Sequence, residues 1–193
     1  TFYRAVEQGE ISYPVFVKPV KGSASLHINK VESPKEIEVL YDLHDDLMIQ
    51  EYMDGQEYGA DVYIDMISGK CVSLFVKKKI NMRAGETDKS VSYKDEKLFG
   101  LIRDFVEACG FRGMIDIDIF EIEGTYYISE VNPRFGGGYP HAYACGVNMP
   151  AAILRNLEGQ ENEPAIGDYA EHVCMMKYNE IAVRDMSGEE IVP

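Results

Sequence analysis

The sequence predicts an α+β fold, and three observations lead there. Short runs rich in β-branched and aromatic residues, at residues 13–18, 47–53 and 57–65, are separated by glycine, proline and aspartate turns. Two intervening stretches, 33–44 and 94–109, carry helix signals instead. No strand leads into a GxGxxG or GxxxxGK[ST] helix, so the two commonest ways of cradling phosphate in a parallel α/β sheet are absent.

In chain order, residues 1–12 read as a short helix and turn, and residues 13–18 (YPVFVK) as a strand. Pro19 and the small-residue run Lys21-Gly22-Ser23-Ala24-Ser25 form a tight loop before a second strand at 26–31. Ser33-Pro34 pairs an N-cap residue with proline at the first helical position, starting a helix that ends near His44. A strand at 47–53, a turn at Asp54-Gly55, and strands at 57–65 and 72–80 joined across Ser68-Gly69 make a meander. Residues 81–93 are polar and without periodicity, which predicts a loop. In residues 94–109, Leu98, Leu101, Ile102, Phe105 and Val106 recur at helical spacing, and Gly110 stops the helix. A hairpin at 113–122 and 125–132 turns at Glu123-Gly124; short helices at 139–145 and 149–157 and a strand at 171–178 follow.

Composition narrows the function. A chain of 193 residues with 46% hydrophobic content can bury a sizeable core, as one domain or two packed subdomains. Its formal net charge of −14 opposes a nucleic-acid partner, since phosphate backbones are held by clustered Lys and Arg. No apolar run approaches the roughly 20 residues that span a bilayer, so a soluble cytoplasmic protein with no membrane partner is expected. Cys71, Cys109, Cys145 and Cys174 are too widely spaced for a CxxC pair and are expected to be small buried hydrophobes. The four histidines lack zinc-ligand spacing, so any metal should be held by oxygen.

The hairpin carries the most chemistry. Ile115, Ile117 and Ile119 alternate with Asp116 and Asp118, which puts isoleucines on one face and acids on the other. A three-residue loop centred on Gly124 would set Asp118 against Glu130 and Asp116 against Asn132. Acids facing each other across a sheet repel unless a cation lies among them, and a few hard oxygen donors suit Mg²⁺, with Mn²⁺ as the other candidate. The plainer reading is a solvated acidic face. Pro133 ends the ladder, Arg134 offers a planar fork for anionic oxygens, and Gly136-Gly137-Gly138 lets backbone approach a ligand. Lys18 stands at a strand end ahead of the Gly/Ser loop, and Glu51 and Glu57 flank the turn at Asp54-Gly55.

Taken together, the Lys18 strand and its small-residue loop, the stretch Gln50-Glu51-Tyr52-Met53-Asp54-Gly55-Gln56-Glu57 and the ending Glu130-Val131-Asn132-Pro133-Arg134 resemble the ATP-grasp family. Within it, the layout of the motifs is similar to that of the ATP-binding domains of the carbamoyl-phosphate synthase large subunit and related carboxylate–amine ligases. The match covers roughly residues 13–157. It implies two α+β subdomains with nucleotide between them, divided here into 1–53 and 54–193, and a further N-terminal part expected ahead of Thr1.

The resemblance also implies roles. Lys18 would contact the ATP α and β phosphates, and the loop of Lys21, Gly22, Ser23 and Ser25 would close over them. Glu51, with Tyr52 and Met53, would line the adenine edge, and Glu57 would accept the ribose hydroxyls. Asp118, Glu130 and Asn132 would hold Mg²⁺, with Asp116 competing with Asp118 for the first position. Arg134 would neutralise the transferred phosphoryl group, and Arg83 would bind phosphate or the acceptor. The implied reaction activates a small-molecule carboxylate as an acyl phosphate, which an amine then attacks. A homo-oligomer is compatible with the family, and the alternative is a regulatory nucleotide-binding module without turnover.

Overall fold

The structure, a computed structural model, describes residues 12–21, 28–83, 85–184 and 186–187, together with Arg4, Ala5 and Gln8. The expected helix at 1–12 is therefore described only at Arg4 and Ala5, both helical, and Gly22, Ser23 and Ser25 lie outside the described residues.

A small antiparallel sheet comes first. Strand β1 (Val15–Pro19) lies between β2 (Asn29–Val31) and β3 (Leu47–Glu51). Helix α1 (Pro34–Leu43) begins where Ser33 and Pro34 predict. Glu36 accepts from the Ser33 hydroxyl at 2.7 Å and from the Glu32 amide at 3.2 Å, tying the first turn to the incoming chain. Val15, Val17, Val31, Ile37 and Leu47 make its core.

The large sheet has seven strands. These are β4 (Gln56–Ile64), β5 (Cys71–Arg83), β6 (Glu86–Tyr93), β7 (Gly113–Ile122), β8 (Thr125–Asn132), β9 (Ala165–Ile166) and β10 (Cys174–Met176). The order is β10-β6-β5-β4-β7-β8, antiparallel along that path, and β9 pairs in parallel with β5. Helix α2 (Glu96–Ala108), capped by the Asp95 carboxylate on the amides of Lys97 and Leu98, packs Leu98, Phe99, Ile102 and Val106 into the core with Ile115, Ile117 and Ile119. The short helices α3 (Tyr139–Ala144) and α4 (Met149–Leu157) follow the hairpin, as expected.

Residues 81–93 correct the sequence reading. Instead of a loop they form the end of β5 and all of β6, so Arg83 closes a strand. Two features hide the strands. A bulge puts Ile80 out of step, 56% exposed, between the pairs Lys79–Ser90 and Asn81–Lys89. The residues that β6 buries, Thr87, Asp88, Ser90 and Ser92, are polar, so the strand has no apolar alternation. The β7–β8 turn also differs: it is a two-residue turn with Glu123 at φ 50° and Gly124 at φ 76°, the left-handed pair of a type I′ hairpin. A bulge between Asp118 and Ile119 then restores the expected pairs Asp118–Glu130 and Asp116–Asn132. Of the cysteines only Cys71 is buried; Cys109 and Cys174 are exposed and Cys145 lies between.

Candidate functional site

One face of the large sheet is apolar, and the other carries the charged side chains together with the buried Phe75 and Tyr63. Register places Gly59 beside Lys77 and Asp118, Asp61 beside Asp116, and Asp116 and Asp118 beside Asn132 and Glu130. These residues therefore share the face opposite α2, and Glu57 and Lys79 join them by alternation along β4 and β5.

Each acid on this face has a cation against it. Lys18 crosses from the small sheet to place Nζ 2.7 Å from Glu130 Oε2. Lys79 Nζ lies 2.6 Å from both Glu57 Oε1 and Asp118 Oδ1. Arg134 Nη1 donates to Asp116 Oδ2 at 2.9 Å, and Lys77 donates to Asp61 in a pair almost wholly buried, with side chains 1% and 0% exposed. Burial raises the Asp61 carboxyl above its ordinary range against the pull of Lys77, and among the described residues Asp61 Oδ1 has no hydrogen-bond partner. Burial likewise raises Asp116, helped by the charges of Asp61 and Asp118. Burial opposes the ionised form of Glu130, but Lys18 and Asn132 outweigh it and hold the carboxyl below its usual range. Lys79 is held above the usual lysine value, because Asp118 and Glu57 outweigh its burial.

The glycine run is a close-packed lid on this face. A Cβ on Gly136 would stand 2.4 Å from Asp116 Oδ1, one on Gly137 2.8 Å from Glu86 Cδ, and one on Gly138 2.5 Å from Lys77 Cε. At all three glycines the backbone therefore lies close against charged side chains, which would have to shift to admit a Cβ. Below the same face, His141 of α3 ties helix to sheet: its Nδ1 meets the Ser90 hydroxyl at 2.8 Å and its Nε2 the Val173 carbonyl at 3.0 Å.

The expected site residues divide into groups. Lys18, Glu57, Asp118, Glu130 and Asn132 come together on one face, with Arg134 at its edge, 56% exposed. Glu51 ends β3, and residues 52–55 carry the chain from the small sheet into the large one. Tyr52 lies under the Lys30 ammonium, 4.8 Å from its ring centre, and Met53 is half-buried beside it. Lys21 is exposed just past β1. Arg83 is exposed at the far end of β5, opposite Glu86. Sequence reasoning missed Asp61, Lys77 and Lys79. A signal was available: Lys77 and Lys79 fall two apart in a strand otherwise rich in Val, Leu and Phe, which puts both on one face.

A small antiparallel sheet whose lysine reaches an acid-bearing hairpin of a larger sheet defines the class of nucleotide-binding ligase fold that the sequence resembles. A family model described as "ATP-grasp in the biosynthetic pathway with Ter operon" matches residues 44–181, well over half of the chain. The chain belongs to the ATP-grasp family. It is 26% identical over 145 residues to a D-alanine–D-alanine ligase of Francisella philomiragia, covering 69% of this chain and 49% of the ligase. It is 25% identical over 190 residues to the arginine-specific carbamoyl phosphate synthase large chain of Geobacillus stearothermophilus, covering 90% of this chain and 18% of that one. The chain thus spans about half or less of these relatives. Among solved structures, the biotin carboxylase domain dimer of the Hydrogenobacter thermophilus 2-oxoglutarate carboxylase, in complex with MgADP and bicarbonate, superposes with a TM-score of 0.69. At 16% identity, over 89% of this chain and 42% of that one, this likeness shows the shared fold. Among the described residues no helix is long and apolar enough to cross a membrane.

Proposed function

We propose that this chain is the nucleotide- and Mg²⁺-binding part of a cytoplasmic ATP-dependent ligase that activates a carboxylate as an acyl phosphate for attack by an amine. Residues 1–53 would belong to the smaller subdomain and 54–193 to the larger. The observation that carries this reading is the 2.7 Å contact of Lys18 with Glu130, which joins the two sheets at the point where phosphates and metal would meet. Lys18, with Lys21 and the loop of Gly22, Ser23 and Ser25, would bind the ATP phosphates. Glu51, Tyr52 and Met53 would bound the adenine, Glu57 would receive the ribose, and Arg134 would face the transferred phosphoryl group.

The donor set suits Mg²⁺. Asp118, Glu130 and Asn132 offer two carboxylates and an amide oxygen from facing strands, and both carboxylates already attract ammonium groups. Among the described residues no three His, Cys, Asp or Glu side chains close on one point. Two carboxylates and one amide oxygen leave room for the waters and phosphate oxygens that a hard dication keeps as ligands. Asp118 is the better ligand than Asp116, because its side chain is 27% exposed against 12%. When bound, the metal would neutralise charge on the transferred phosphate.

In the reaction a carboxylate oxygen attacks the γ-phosphorus and ADP leaves. The amine then attacks the acyl carbon, phosphate leaves and the amine loses a proton. No protein nucleophile is needed, so the chain's work is positioning and charge stabilisation. A carbamoyl-phosphate synthase-like acceptor is the narrower proposal, supported by the 90% coverage of this chain in that comparison. Calorimetric titration of the full-length protein with Mg-ATP, then phosphate release against bicarbonate, D-alanine and L-amino acids with amine acceptors, tests both levels. We expect Mg-ATP binding and release with one member of the panel, and loss of release in Glu130→Ala. Wild-type turnover by Glu130→Ala would overturn the site.

A further inference from the structure

We propose that Lys79 is a positioning residue that locks the sugar-binding end of the nucleotide site to its metal-binding end. The inference rests on the ligase reading for the roles of Glu57 and Asp118, but its geometry stands independently. The Lys79 ammonium is 2.6 Å from Glu57 Oε1 on β4 and 2.6 Å from Asp118 Oδ1 on β7, while its own stem rises from β5. One side chain therefore spans three adjacent strands. It does so across Gly59, where a Cβ would stand 3.2 Å from the Cε atoms of both Lys77 and Lys79, so the stem lies close against the backbone there.

The burial differs along the bridge. Lys79 is 5% exposed, whereas Glu57 and Asp118 are 29% and 27% exposed. The cation is inside and the two acids look outward, each with one oxygen on the ammonium and more than a quarter of its side chain exposed. A carboxylate held by a buried, charge-assisted bond keeps its rotamer and loses less freedom on binding. Lys77 cannot do this, because it is sealed under Gly138 and pairs with the fully buried Asp61. If Lys79 is removed, Glu57 and Asp118 lose a shared anchor, and both ends of the site should loosen together. A residue that served stability alone would move neither end selectively.

The test uses the full-length protein in four forms: wild type, Lys79→Met, Lys79→Arg, and Lys78→Met as a control on the opposite face. Three quantities are measured: Mg-ATP affinity by calorimetry, the ratio of ATP to 3′-deoxy-ATP affinity, and Mn²⁺ affinity in the presence of ADP by electron paramagnetic resonance. We expect Lys79→Met to weaken Mn²⁺ by about 10-fold or more, as loss of an outer-shell partner does, and to shrink the preference for the 3′-hydroxyl in the same variant. Lys79→Arg should recover part of both, and Lys78→Met should match wild type. An unchanged Lys79→Met overturns the inference, as does one in which only one end of the site is affected. If Lys79→Met fails to fold, Lys79→Arg decides: wild-type values at both ends refute the lock, and a joint partial loss supports it. A wild-type protein that does not bind Mg-ATP refutes the ligase reading itself, and the inference with it.

Discussion

Ile117 and Asp116 are neighbours in β7 and face opposite ways. Ile117 is 0% exposed against α2, and Asp116 is 9% exposed beneath Gly136 with Arg134 on its rim. The same contrast runs through β4, where Ala60 and Val62 alternate with Gly59 and Asp61. The apolar face is held by area removed from water, which many side chains of the right volume can supply. The charged face is held by particular partners, and a charge that loses its partner there stays buried and uncompensated. The difference explains why the proposed site lies on the charged face: fixed charges at fixed places are costly for folding but are what holding a nucleotide would need.

The sharpest way to break this comparison is at its most buried pair. Lys77→Met should cost about 3–5 kcal/mol in urea unfolding, because it strands the Asp61 carboxylate. The double variant Asp61→Leu/Lys77→Met should recover to within about 2 kcal/mol of wild type. If it stays as unstable as the single variant, the charged face is held by packing after all. On the opposite face, Ile117→Ala should cost about 3 kcal/mol through lost burial and the cavity left behind. Nucleotide affinity measured on the folded variant should be unchanged; a loss comparable to that of Lys79→Met would show that the faces are not independent.

The smallest effect concerns His141. Burial lowers its pKa, Lys77 adds to the shift, and the neutral ring is fixed by Ser90 and Val173. A base whose folded pKa is depressed gives stability that is full above its unfolded value, about 6.5, and is lost as pH falls below it, because the unfolded chain then takes up the proton first. Wild-type melting temperature should therefore fall between pH 7.5 and 5.5 more steeply than that of His141→Gln. Parallel slopes would show that His141 takes up its proton over the same pH range folded and unfolded.

Much of this was legible along the chain. The isoleucine–acid alternation of β7, the turn at Glu123-Gly124 and the start of α1 at Ser33-Pro34 are local features, and each was found where its residues predict. The partners Asp118–Glu130 and Asp116–Asn132 were also anticipated, although through a different turn and a compensating bulge. The strand β6 was not, because its buried residues are Ser, Thr and Asp, which carry no apolar period. Gly136, Gly137 and Gly138 suggested a close approach of backbone to a ligand, and their packing against the side chains of Asp116, Glu86 and Lys77 became visible only in the tertiary structure.

By itself, then, the sequence determined which residues a recognised, unbulged strand such as β7 turns to which face, because alternation is a property of consecutive backbone units. Only the tertiary structure decided which cation meets which acid. Lys18 and Glu130 are 112 residues apart, and Lys79 and Asp118 are 39. Charge attraction acts over a few ångströms of space, and distance along the chain does not say where those few ångströms will be.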